Sequence, residues 1–165
     1  MEAYFDNSAT TAPCIEAIRA VNEALTDCWG NPSSLHRTGN KAKELLDLSR
    51  ESIAKRLSCD PSEIFFTSGG TESNNLAVMG AAYQMRRFGK RIVSTEHPSI
   101  DETLNKLEAE GFEVIKLRVD NFGRVNEREL YAAVNSNTIL ITMMLVNNEV
   151  GTIMPVEAAK RAATA

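Results

Sequence analysis

Three features of the sequence predict an α/β fold with a mostly parallel sheet. Apolar patterns of helical and strand period alternate along the chain, separated by short polar connections. The run Thr138-Ile139-Leu140-Ile141-Thr142-Met143-Met144-Leu145-Val146 is apolar on both faces, as expected of a central strand covered by helices on either side. Between them, Thr67-Ser68-Gly69-Gly70-Thr71-Glu72-Ser73-Asn74-Asn75 sets small residues and hydroxyls where the extended apolar segment Glu63-Ile64-Phe65-Phe66 gives way to a helical pattern.

The elements follow in order. After an extended start at Tyr4-Phe5, a helix is predicted from Pro13 to Cys28, with proline suited to a first helical position. Cys14, Ile18, Val21, Leu25 and Cys28 recur along one of its faces. Gly30-Asn31-Pro32-Ser33-Ser34 reads as a loop, and a second helix runs from Thr38 to Leu57 with Ala42, Leu45, Leu46, Ser49, Ile53 and Leu57 on one face. A strand at 64–66 leads into the Gly-rich turn and a helix from about Thr71 to Phe88, closed by Gly89. The second half predicts a strand over 91–95, a helix from Pro98 to Ala109, and a strand over 112–118. A helix over 126–134, the apolar strand, a loop over 147–151 and a helix after Pro155 complete it. That last pattern reaches Ala165 without a capping glycine, so the element is expected to be cut short.

Composition excludes several function classes. The 165 residues carry a formal charge of −4 and no concentrated basic cluster, which argues against nucleic acid as partner. No stretch approaches the roughly 18 consecutive apolar residues of a membrane span. The first residues carry an acid and no basic region, so they do not read as a signal peptide, and the expected location is the cytosol. Cys14, Cys28 and Cys59 show neither zinc-ligand spacing nor an even count for disulfides. Cys14 and Cys28 belong to a helix face, and Cys59 stands in a polar turn without a neighbouring histidine to activate it.

The Gly-rich turn has the chemistry of a phosphate seat. Backbone N–H groups of a first helical turn have no intrahelical partner, the helix dipole adds partial positive charge there, and glycine lets an anion approach the backbone. An ordinary capped strand-to-helix connection would look similar. In open α/β sheets, however, ligands sit beyond the carboxyl ends of the strands. Two further polar clusters fall in that place: Thr95-Glu96-His97, and Asn147-Asn148-Glu149. Histidine can shuttle a proton near neutral pH, and the Asn147 amide can both donate and accept, although an asparagine that caps a strand exit is the competing reading.

The same residues carry a family resemblance. Tyr4-Phe5-Asp6-Asn7-Ser8-Ala9-Thr10-Thr11, Gly30-Asn31-Pro32-Ser33-Ser34 with His36, the turn Thr67–Asn75, Thr95-Glu96-His97 and Asn147-Asn148-Glu149-Val150-Gly151 occur in that order. Together they resemble the N-terminal part of a cysteine desulfurase of the class V aminotransferase group. The resemblance implies the large domain of a fold type I transferase dependent on pyridoxal 5'-phosphate (PLP), here with an incomplete, mostly parallel sheet flanked by helices. Residues 1–15 would be an N-terminal arm and 16–165 the first part of the PLP-binding domain. It implies a homodimer that transfers sulfur from L-cysteine to an enzyme cysteine, leaving L-alanine. The sulfur would pass to acceptor or scaffold proteins of iron-sulfur cluster assembly.

By position, Gly70 and Thr71 would hold the cofactor phosphate, His97 would stack on the ring and move a proton, and Asn147 would hydrogen-bond the phenolic oxygen. The segment around Asn7, Ala9 and Thr10 would approach the site mouth. Family members commonly carry alanine at the position of Gly70, a change that keeps the backbone donor. The family's Schiff-base lysine and persulfide-forming cysteine have no counterpart here. Lys41, Lys43, Lys55, Lys90, Lys106, Lys116 and Lys160 all stand outside a Ser-x-His-Lys setting, so the chain alone is expected to be inactive. Other class V enzymes, such as selenocysteine lyases or aminotransferases, and a non-catalytic module for a phosphorylated ligand are the alternatives. A dinucleotide-binding domain fits less well because G-x-G-x-x-G is absent.

Overall fold

The computed structural model describes residues 3–95 and 98–164, which divide into two compact units, 3–66 and 67–164.

In the first unit, Tyr4 donates its hydroxyl hydrogen to the carbonyl of Asp6 or Thr10, and a turn at Asp6–Thr10 precedes helix α1 (Ile15–Asp27). The predicted amphipathic face forms, but it is not a core. Ile15, Ile18, Val21 and Leu25 are exposed, and no residue of α1 is buried. Helix α2 (Arg37–Leu57) starts at His36, whose Nδ1 accepts from the Gly39 N–H at 3.2 Å, so this histidine acts as an N-cap. Gly39 is required there, because an added Cβ would lie 2.3 Å from the Ser34 carbonyl oxygen. Ser58 ends the helix in the left-handed region (φ 55°). A single 3-10 turn, Pro61–Glu63, follows with a reciprocal capping box between Asp60 and Glu63.

The strand predicted over 64–66 does not form. Ile64 is extended (φ −95°, ψ 119°), but the segment joins no ladder among the described residues, and a strand exists only through its hydrogen-bond partners. What holds it is Arg50 of α2. Its Nε donates to the Ile64 carbonyl at 3.3 Å, and its guanidinium lies 5.4 Å from the Phe66 ring centre.

The second unit is a three-layer α/β assembly. Helix α3 (Gly70–Met85) leads to strand β1 (Arg91–Thr95), helix α4 (Pro98–Ala109) and strand β2 (Glu113–Lys116). Helix α5 (Glu127–Ala133), strand β3 (Thr138–Met143) and helix α6 (Val156–Thr164) complete it. The sheet is parallel throughout, in the order β2-β1-β3. Central position therefore goes to β1, whose Ile92, Val93, Ser94 and Thr95 are buried, whereas the long apolar run expected in the middle supplies a six-residue strand paired on one side only among the described residues. Side-chain alternation sorts the two faces. Ile92 and Val114 pack with Val78, Ala82, Leu104, Leu107 and Phe112 of the α3/α4 layer. Val93, Ile115 and Ile141 pack with Leu130, Met154, Ala158 and Ala159 of the α5/α6 layer. A register shift opposite Arg91 and Ile92 puts Ile139 and Leu140 on the same face.

Arg91 ties the start of β1 to its neighbours. It pairs bidentately with Glu113 of β2, at 2.9 and 2.6 Å, and donates to the Ala133 carbonyl at the end of α5. Nearby, an added Cβ on Gly89 would lie 2.3 Å from the Asn137 carbonyl oxygen, whereas one on Gly80, within α3, would meet nothing within 4 Å. Gly89→Ala is therefore expected to lower unfolding free energy by about 1–3 kcal/mol, because backbone must give way. Gly80→Ala is expected to raise it by about 0.5–1 kcal/mol through helix propensity. Urea denaturation of both variants checks the pair; equal effects would refute the steric account of Gly89.

Candidate active site at the carboxyl end of the sheet

Helix α3 runs against the strand direction. Past its C-terminus, the N–H of Lys90 donates to Asn137 Oδ1, just before β3 begins. Near its N-terminus, Asn74 and Ala77 line a cavity of about 260 Å3 with Ile100 of α4 and with Thr142 and Met143 at the end of β3. The Gly-rich turn therefore lies at the carboxyl end of the sheet.

The turn is built by hydrogen bonds that consume its acceptors. Thr67 Oγ1 lies 3.1 Å from the Gly69 carbonyl, to which it donates, and 2.6 Å from Ser73 Oγ. The Glu72 carboxylate folds back to accept from both the N–H and the hydroxyl of Ser68, at 2.6 Å each. Those two bonds, the hydroxyl's foremost, hold the Glu72 carboxyl below its ordinary range. The first helical hydrogen bond runs from the Ser73 N–H to the Gly69 carbonyl. The N–H groups of Gly70, Thr71 and Glu72 and the Thr71 hydroxyl consequently have no partner among the described residues. Gly69 is extended (φ 167°), and an added Cβ at Gly69 or Gly70 would meet nothing within 4 Å.

Strands β1 and β3 end side by side, with Thr95 opposite Met143. His97 lies outside the described residues. The Thr95 hydroxyl is buried and is the one buried side-chain polar atom without a hydrogen-bond partner among the described residues. Beyond β3, Val146 and Ile153 form an antiparallel bridge closed by the turn 147–151, with Gly151 at φ 73°. The Asn147 backbone anchors that turn by donating to the Thr152 carbonyl and accepting from the Gly151 N–H, each at 2.9 Å. Its side-chain Oδ1 accepts from the N–H groups of Glu149 and Val150, at 2.9 and 3.0 Å. The capping role is thus real and fixes the amide orientation: the oxygen is used internally, and Nδ2 has no partner among the described residues.

Sequence reasoning missed two features at this end of the sheet. The back-folded Glu72 was legible as a glutamate four residues after a serine that precedes a helix. The second is a contact from Asn75 of α3 to Thr103 of α4, for which only the polar character of Thr103 on an otherwise apolar helix face gave a signal.

The donor set fits a phosphate: backbone N–H groups and a hydroxyl at the start of a 16-residue helix, with neighbouring carboxylate charge tied back. The fold itself defines an α/β domain with a parallel sheet that is incomplete, flanked on both faces by helices. Comparison with known proteins goes further. The family model for class-V aminotransferases matches residues 3–165, and the chain belongs to that family. It is 49% identical over 156 residues to a NifS/IcsS protein homolog of Lactobacillus delbrueckii subsp. bulgaricus, covering 93% of this chain and 40% of the relative. It is 44% identical to cysteine desulfurase IscS of Methanosarcina thermophila, covering 93% of this chain and 39% of that protein. The chain therefore spans about 40% of the length of these curated relatives. Among solved structures, a NifS-like protein superposes with a TM-score of 0.92 at 38% identity, covering 99% of this chain and 46% of that one. SspA in complex with cysteine gives 0.88 at 35%, covering 98% and 47%. Class-V aminotransferases and cysteine desulfurases are PLP-dependent.

Ser68→Ala removes the larger cause of the Glu72 shift and is expected to move that carboxyl back toward its ordinary value. With its folded pKa below its unfolded value, Glu72 stabilises the turn above the ordinary carboxylate range, and that contribution is lost as pH falls through the depressed folded value. An NMR titration of the Glu72 side chain in both proteins measures the difference; coincident curves would exclude the Ser68 hydroxyl as its leading cause.

Proposed function

We propose that this chain supplies the phosphate- and ring-binding part of a PLP-dependent cysteine desulfurase. The observation that carries the reading is the concentration, at the start of α3, of donors without a partner among the described residues, in a chain of the class-V family. The names of its relatives support the choice of cysteine desulfurase.

Each residue then has a task its surroundings allow. The N–H groups of Gly70, Thr71 and Glu72 and the Thr71 hydroxyl bind the phosphate dianion, helped by the positive end of the helix dipole. Asn147, oriented by its own turn, donates from Nδ2 to the phenolic oxygen and stabilises it as an anion. His97 follows the end of β1 by two residues; it stacks on the cofactor ring and carries a proton to or from the substrate. Bound PLP supplies the electron sink that makes bonds at the substrate α-carbon labile. L-cysteine is the substrate of the complete enzyme, a homodimer that hands sulfur to an acceptor or scaffold protein for iron-sulfur cluster assembly. The cytosol is its proposed location. Among the described residues, no helix is long and apolar enough to cross a membrane.

PLP titration of the chain, read by visible absorbance before and after borohydride and by intact mass, tests the reading. Reversible binding without a specific lysine adduct is the expected result, since no lysine here stands in the Ser-x-His-Lys setting. Failure of the chain to bind PLP would overturn the assignment of the donors. Thr71→Val is expected to weaken PLP binding about ten- to hundredfold, the loss of one hydrogen bond to a charged group, with an unchanged circular dichroism spectrum. In an enzyme complemented to full activity, His97→Ala is expected to lower turnover by about 10²-fold or more while cofactor content stays near normal. Parallel loss of both would reduce His97 to a binding residue.

A further inference from the structure

One of the three N–H groups of the α3 turn without a partner among the described residues belongs to Glu72, and its peptide unit includes the Thr71 carbonyl. As an ordinary member of the helical ladder that carbonyl accepts from the backbone N–H four residues on, that of Asn75. It also accepts a second hydrogen bond, from Nδ2 of the Asn75 side chain at 2.8 Å. The other end of the Asn75 amide is not free either: Oδ1 accepts from the hydroxyl of Thr103, which is 3% exposed, on α4. The chain of contacts is thus Thr103 hydroxyl, Asn75 amide, Thr71 carbonyl, Glu72 N–H.

We infer that Asn75 and Thr103 are positioning residues for the phosphate donors of the α3 turn, an inference that rests on the proposed PLP reading of that turn. The relay works in two ways. A carbonyl that accepts two hydrogen bonds polarises its own peptide, and hydrogen-bonded chains strengthen one another, so the Glu72 N–H becomes a better donor to an anion. Thr103, buried beside Leu104 and Leu107 on a helix packed against α3, also fixes the amide plane, so the doubly accepting geometry costs no ordering when an anion arrives. Because α4 begins at Pro98, directly after His97, the same contact ties the first turn of α3 to the helix that follows the proposed ring-stacking residue.

The test uses the full chain, isotope-labelled, with PLP as the probe. Thr103→Val keeps shape and removes the hydroxyl; Thr103→Ser restores it; Asn75→Ala removes both amide contacts at a half-buried helical position that alanine suits. In the ligand-free protein, Thr103→Val and Asn75→Ala are expected to move the Glu72 amide proton upfield. Both are also expected to weaken PLP binding about three- to tenfold. Thr103→Ser should return both readouts to normal, and the double variant should lose no more than Asn75→Ala alone. An unmoved Glu72 resonance with unchanged PLP affinity would overturn the inference, as would equal losses for Val and Ser at position 103. If the unaltered chain binds no PLP, the cofactor reading fails, while the ligand-free Glu72 resonance still decides whether the relay exists.

Discussion

Strand β1 is buried on both faces and hydrogen-bonded on both edges, and the rest of the second unit takes its position from that fact. A parallel strand in such a place cannot leave polar backbone unpaired, so β2 and β3 must flank it, and each crossover must carry a helix over one face of the sheet. Helices α4 and α5 cover opposite faces while the chain moves first to one edge and then back past the centre, as a single crossover handedness requires. Once α3 packs its Val78 and Ala82 onto the Ile92 face, its direction decides which end of the sheet receives its unpaired N–H groups. They arrive at the carboxyl end, where β1 and β3 also deliver their trailing loops.

The chemistry of that end comes from an asymmetry between donors and acceptors. Around α3, the Glu72 carboxylate, the Gly69 carbonyl and the Thr71 carbonyl are all engaged within the turn or its helix. In the 147–151 turn, Asn147 Oδ1 is spent on two backbone N–H groups. Donors remain in both places. Donors held in this way favour an electron-rich group before any formal positive charge is brought to bear. The absence of a strong basic cluster from the sequence is therefore compatible with anion binding.

Much of this was legible in the residues. The strand at 91–95 and the helix over 98–109 fall where the sequence placed them, because short apolar runs bounded by charge and a proline at a helix start leave little choice. Helices cover both faces of β3, as the apolar run predicts, and which strand holds the centre among the described residues has a plain cause. A nine-residue apolar run looks more buried than Arg-Ile-Val-Ser-Thr, but strand order depends on where crossovers return the chain, which hydropathy does not encode. Position 64–66 fails for a related reason: β propensity describes a segment, whereas a ladder needs a second one. Asn147 was ambiguous in the sequence because its amide can both accept and donate, and only the turn shows which end is engaged. The Asn75–Thr103 contact joins residues 28 positions apart, so nothing beyond the polar Thr103 on an apolar helix face pointed to it.

Helix α1 shows how far periodicity can be trusted. Its apolar stripe is regular, yet Ile15, Ile18, Val21 and Leu25 are exposed and none of its residues is buried. Thirteen residues are too few for a helix to stand on propensity alone, so α1 draws little stability from its own unit. The donor-bearing turn is in the opposite situation, since it opens a helix that contributes Val78 and Ala82 to a closed apolar layer. The closed apolar layer and the donor-bearing α3 turn therefore belong to the same unit, 67–164.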